Sequence, residues 1–68
     1  MSAEQRIADK WRIRHFEQGL TQLQCAEGFY EDCCRAFQFC PAVEHIKMDY
    51  NPNIDDIIYE ACRQYLFK

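Results

Sequence analysis

Leu23, Ala26, Tyr30, Cys33, Phe37 and Cys40 follow one another at intervals of three and four residues. That rhythm puts all six on one side of an α-helix, because residues so spaced lie nearly above one another. The spacing predicts a helix opened by Thr21, with Gln24 three residues on to complete a capping box, and carried to Cys40. It also makes Cys33 and Cys40 members of an apolar seam. Small thiols on such a seam behave as compact buried hydrophobes.

The flanking segments are helical too. Ser2 and Gln5 form a second capping-box signature, and the helix they open runs to Gln18, where Gly19 offers a left-handed stop. Pro41 suits the first turn of a short helix over 41–48, with Val43 and Ile46 turned inward. The run 49–53 reads as a loop ending in Asn53, the cap of a last helix whose Asp55 and Asp56 suit its positive end. In that helix Ile54, Ile57, Ile58, Ala61, Cys62, Tyr65 and Leu66 fill one face, and Lys68 suits the opposite pole. Only residues 11–14 alternate in a strand-like way, and only briefly. The expected fold is all-α: a single domain over 1–68, a small bundle of three long helices plus one short helix.

The first helix does not fit so simply. At about 100° per residue Ile7 and Trp11 fall together, with Ala8 and His15 beside them, while Ile13, Phe16 and Leu20 fall on nearly the opposite side. One straight helix cannot bury both groups against one core. Either it breaks near Arg12, or one group faces a partner. Tyr59 and Phe67 lie off the apolar face of the last helix, and Phe39 lies off the seam. So many large apolar side chains beyond the three faces point to a contact surface.

Charge is unevenly placed on a chain whose net charge is −3. Residues 1–15 carry four basic side chains against two acidic, and residues 16–68 carry four against nine. A basic first helix on an acidic body can pair with a second copy of itself or steer an acidic partner. A chain of 68 residues buries only about 60% of its unfolded surface, so self-association is one way to reinforce it. Four positive charges spread over a helix are too few to mark a nucleic-acid binder. No stretch approaches the roughly 20 apolar residues of a membrane span, and the polar start carries no signal core, so a cytoplasmic protein with reduced cysteines is expected. An odd count of five cysteines agrees.

Little in the chain resembles catalytic machinery. Ser2 and Thr21 are the only serine and threonine, and both serve as caps. Cys40 and His45 flank Pro41, but a nucleophile pair also needs an orienting group and a pocket of some 300 Å³ or more, for which so small a bundle has little room. No pair reads Cys-x-x-Cys. Cys33 and Cys40 lie two helical turns, roughly 10 Å, apart, too far to act together unless the helix breaks. Cys25 and Cys34 fall at the boundary of the seam. No cofactor or metal is expected, and the chain is read as not an enzyme.

Gly19-Leu20-Thr21-Gln22, followed by Ala26 and Glu27, resembles the opening of the first helix in helix-turn-helix repressors. The resemblance covers about nine residues and implies a DNA-binding regulator, with a glycine-containing turn soon after that helix and then a recognition helix rich in Ser, Thr, Gln and Arg. The chain departs from the pattern there: Gly28 comes early, and Glu31 and Asp32 would face phosphates.

The reading that accommodates most of these features is a small non-enzymatic protein-interaction module, an adaptor, regulator or inhibitor that docks on another protein and forms a homodimer. Trp11 with Ile7 would anchor the contact, Arg12 and Arg14 would rim it, and Tyr59 and Phe67 would extend it; the competing role for Trp11 is an intramolecular core residue. A DNA-binding regulator and a metal- or redox-responsive cysteine protein are the alternatives from other classes.

Overall fold

A computed structural model describes residues 2–44, 46 and 52–67. They form three α-helices and one 3-10 turn: α1 (Ala3–Gln18), α2 (Gln22–Phe37), the turn Pro41–Val43, and α3 (Ile54–Leu66). No strand occurs among the described residues. The all-α bundle is as expected, with the short helix reduced to one 3-10 turn; His45, Lys47 and Met48 of the segment 41–48 lie outside the described residues, as do 49–51 and Lys68.

Both capping boxes are formed. The Gln5 amide donates to Ser2 Oγ at 3.2 Å and the Ser2 amide to Gln5 Oε1 at 3.2 Å. Thr21 and Gln24 repeat the exchange at 3.0 Å in each direction. Each pair satisfies two amides that a helix start leaves without intrahelical partners. Between them Gly19 takes φ 71°, the left-handed conformation that glycine adopts without a Cβ penalty, and α1 ends there. Asn53 stands at the start of α3 but makes no side-chain capping hydrogen bond.

α2 is the middle helix, packed against α1 on one side and α3 on the other. Its buried residues are Cys25, Ala26, Phe29 and Cys33, so the buried arc is turned away from the seam toward Cys25 and Phe29. Leu23, a seam residue by spacing, is 50% exposed, whereas Cys25, placed at the boundary by spacing, is fully buried. The reason is geometric: a helix contacted from two sides buries a broader arc than one stripe defines. α2 also ends earlier than the seam implies. Gln38 takes φ 66° and its amide reaches back to the Cys34 carbonyl at 2.7 Å, so the chain turns before Cys40. Cys40 is nevertheless buried, folded back onto the core instead of continuing the helix.

α3 behaves as its pattern requires. Ile58, Cys62 and Leu66 are buried, Ile54, Ala61 and Tyr65 pack around them, and Ile57 stands at the exposed edge. Tyr65 stacks on Phe29, ring centroids 5.4 Å apart, which ties α3 to the centre of α2.

α1 runs unbroken, so the expected break near Arg12 does not occur and only one of its two stripes is inside. Ala8 is buried and Ile7 and Trp11 pack against the core, while Ile13 and Phe16 face outward. Leu20, beyond the helix, packs inward after the turn at Gly19.

Candidate functional site

The Trp11 indole lies across Gly28. A Cβ at that position would overlap the indole's six-membered ring, so the absence of a side chain brings α1 close to α2. Gly28 sits inside α2, which continues to Phe37 without a turn; the glycine of the helix-turn-helix resemblance is a packing glycine here. Trp11 Nε1 donates to Asp32 Oδ2 at 2.9 Å, and Lys10 Nζ donates to the same oxygen at 2.7 Å. Burial alone would raise the Asp32 carboxyl, but these hydrogen bonds and the Lys10 and Arg35 charges hold it below its ordinary value. The Arg14 guanidinium covers the other part of the indole, 4.6 Å from the ring centroid.

Arg12 points the other way. Its guanidinium donates to the Leu66 carbonyl at 2.6 Å and the Tyr65 carbonyl at 3.5 Å, and pairs with Asp9. The last carbonyls of α3 have no helical partners of their own, so Arg12 both satisfies them and suits the helix dipole. Tyr59 meets Tyr30 edge-on with centroids 5.9 Å apart, and Phe67 meets His15 at 4.8 Å. His15 is itself half-buried, its Nδ1–H donating to the Leu20 carbonyl at 2.6 Å. The six residues expected to carry partner contact thus have places in the fold: Ile7 and Trp11 on the core, Arg12 at the end of α3, Arg14 over the indole, Tyr59 and Phe67 in aromatic pairs. They do not converge on one patch.

The large apolar side chains left in solvent are different ones. Phe16 is 79% exposed and Ile13 53%, adjacent on the outer face of α1. A shallow groove of about 500 Å³ runs along that face past Arg6, Lys10, Ile13 and Arg14. A second open groove, of about 440 Å³, passes Asp56, Ile57 and Glu60 of α3. The small bundle therefore has more concave surface than its size suggests, but these grooves are open, unlike the enclosed pockets that hold small substrates. The sequence did carry the signal for Ile13 and Phe16, as the second stripe of α1; it did not say which stripe was inside.

A third groove, about 390 Å³, lies between α2 and the 3-10 turn, lined by Tyr30, Cys34, Phe39 and Cys40 among others. Cys33, Cys40 and Cys62 are buried in one core cluster. The Cys40 thiol is lowered to about 7, first by a hydrogen bond from Cys62, then by the Ala42 amide and Cys33, against burial and the Glu4 charge. Cys62 is raised by the same bond and by burial, and Cys33 is raised chiefly by burial. Burial and a hydrogen bond with Cys34 push Tyr30 up to about 12. Glu4 Oε1 is buried with no hydrogen-bond partner, and burial raises its carboxyl. The turn at Gln38 is the helix break that returns Cys40 to the core in which Cys33 is buried. Among the described residues no group of three or more His, Cys, Asp or Glu is arranged to hold a metal ion, and no helix is long and apolar enough to cross a membrane.

No protein-family model matches the chain, and no curated protein or solved structure matches it significantly.

Proposed function

We propose that this protein is a small, non-enzymatic interaction module that docks through the outer face of α1, and that its first partner is a second copy of itself in the cytoplasm. The observation that carries the reading is Phe16, a phenyl ring 79% exposed on an ordered helix beside Ile13. Aromatic side chains with arginine at their rim supply much of the energy at protein interfaces.

Charge favours a second copy as the occupant. The α1 face carries Arg6, Lys10 and Arg14 with Asp9 and Glu17 along the groove at Ile13, a small basic excess, while the α3 face sets Asp56 and Glu60 beside half-exposed Ile57. In a twofold pair each copy presents both faces, so one complementary contact is made twice. The five free cysteines suit a reducing compartment. Regulation or inhibition of a larger partner would use whichever surface the pair leaves open.

Light scattering after size exclusion, with reductant present, tests this directly. The expected mass is near twice 8.2 kDa, falling to the monomer in Phe16→Asp with the helical circular dichroism retained. A wild-type chain that stays at the monomer mass across the micromolar range would overturn self-association.

A further inference from the structure

Ile46 lines two grooves at once, the one between α2 and the 3-10 turn and the one along α3, so the two meet at its side chain. Tyr30, Phe39 and Val43 contribute to the walls of the first, and Glu44 is its one charged residue among those described. Phe39 stands half-exposed there, left in solvent by the single chain as Ile13 and Phe16 are on α1. We propose that this joined groove is the seat of α1 from a second copy, with that copy's Phe16 against Tyr30 and Phe39 and its Ile13 beside Ile57. The seat rests on the self-association proposed above and identifies the surface that receives α1.

Spacing and charge favour a second copy as the occupant. Ile13 and Phe16 lie three residues, roughly 4.5 Å, apart along the helix axis, so a helix crossing the junction at Ile46 puts one into each groove. Phe16 then packs against two rings, an arrangement that aromatic side chains favour. Glu44, Asp56 and Glu60 border the joined groove, and none of its described lining residues is basic. Arg63 answers Glu60 within α3, whereas Glu44 and Asp56 form no ion pair among the described residues. On α1, Arg12 takes up Asp9 and Asp32 takes up Lys10, which leaves Arg6 and Arg14 against Glu17 along the groove at Ile13. Two bases thus face two acids in each contact, and a twofold pair makes that contact twice.

Charge-swapped chains test the seat by light scattering. One variant carries Arg6→Glu with Arg14→Glu; the other carries Glu44→Lys with Asp56→Lys. Each alone is expected near the monomer mass of 8.2 kDa, at a concentration where wild type stands at twice that value. Mixed in equal amounts they should pair, because each α1 then meets a groove of opposite charge. If wild type is dimeric but either variant alone stays dimeric, or the mixture stays monomeric with both chains helical by circular dichroism, the seat is overturned and self-association stands. A monomeric wild type overturns both. Arg14 also covers the Trp11 indole, so a second measurement leaves it in place: p-benzoylphenylalanine replaces exposed Phe16, and the chain-to-chain link formed on irradiation is mapped by mass spectrometry. Attachment is expected at Tyr30, Cys34, Phe39, Val43 or Ile46. Attachment only elsewhere, or none in a chain that remains dimeric, overturns the seat.

Discussion

The two helices flanking α2 are held to it by different physics. α3 presents an uninterrupted apolar stripe, and its attachment is burial: Ile58, Cys62 and Leu66 leave water together and Tyr65 stacks on Phe29. α1 has apolar residues on both sides and buries only Ala8 fully. Its attachment rests on directed contacts: one indole over one glycine, two donors on one Asp32 oxygen, and one guanidinium on the end of α3. A weakly amphipathic helix can thus be placed in a unique position, but by few groups, each of which matters more.

Several substitutions break or sharpen that contrast. The largest effect falls on α3: Ile58→Asp buries an unpaired charge, costing more than the about 3–5 kcal/mol that a core of this size supplies, so the chain should lose its helical circular dichroism. A folded Ile58→Asp protein would mean that α3 turns another face inward. On α1, Trp11→Ala removes the indole and leaves Asp32 without its Nε1 donor, for an expected loss of about 3 kcal/mol in urea denaturation. A loss within about 0.5 kcal/mol would place the indole at a partner surface instead of in this joint.

Gly28→Ala is subtler, because alanine raises helix propensity by about 1 kcal/mol while its Cβ displaces the indole. The expected net change is destabilising by about 1–2 kcal/mol in wild type, turning to stabilising in a Trp11→Ala background. Additive changes in that double-mutant cycle would show that the two residues do not meet.

The smallest effect is tied to pH. The Asp32 carboxyl is held below its ordinary value, so its contribution to stability is complete above about pH 4–5 and is lost as pH falls through the folded-state value. Asp32→Asn should therefore cost about 1 kcal/mol at pH 7, and less as pH falls below about 4. A gap between the two denaturation curves that does not narrow with acid would assign the cost to packing, not to charge.

Helix positions and ends were legible where the chemistry is local. Ser2 with Gln5, Thr21 with Gln24, and Gly19 each act within one turn of chain, and the stripe of α3 packs chiefly on α2. Other features had no local signal. Glutamine is not a residue whose side chain announces a left-handed stop, so the end of α2 at Gln38 and the return of Cys40 to the core were hidden in a run that otherwise continues the helical spacing. Gly28 fell inside the expected helix with no local signal of its role; only the indole across it shows why no side chain fits. Arg12, Arg14 and Trp11 were recognisable as interaction residues, but whether they meet another molecule or their own chain depends on what α2 and α3 present to them.

By itself, then, this sequence determined an all-α chain, its two capping boxes, and the presence of two apolar stripes on α1. Backbone hydrogen bonding and side-chain periodicity act over three or four residues, and that is enough for those features. Which stripe of α1 lies inside, which arc of α2 is buried, and the return of Cys40 to the core were decided only by the tertiary structure. Those choices follow from two helices competing for the surface of the third, and the competition is settled by shape and paired polar groups far apart in the chain.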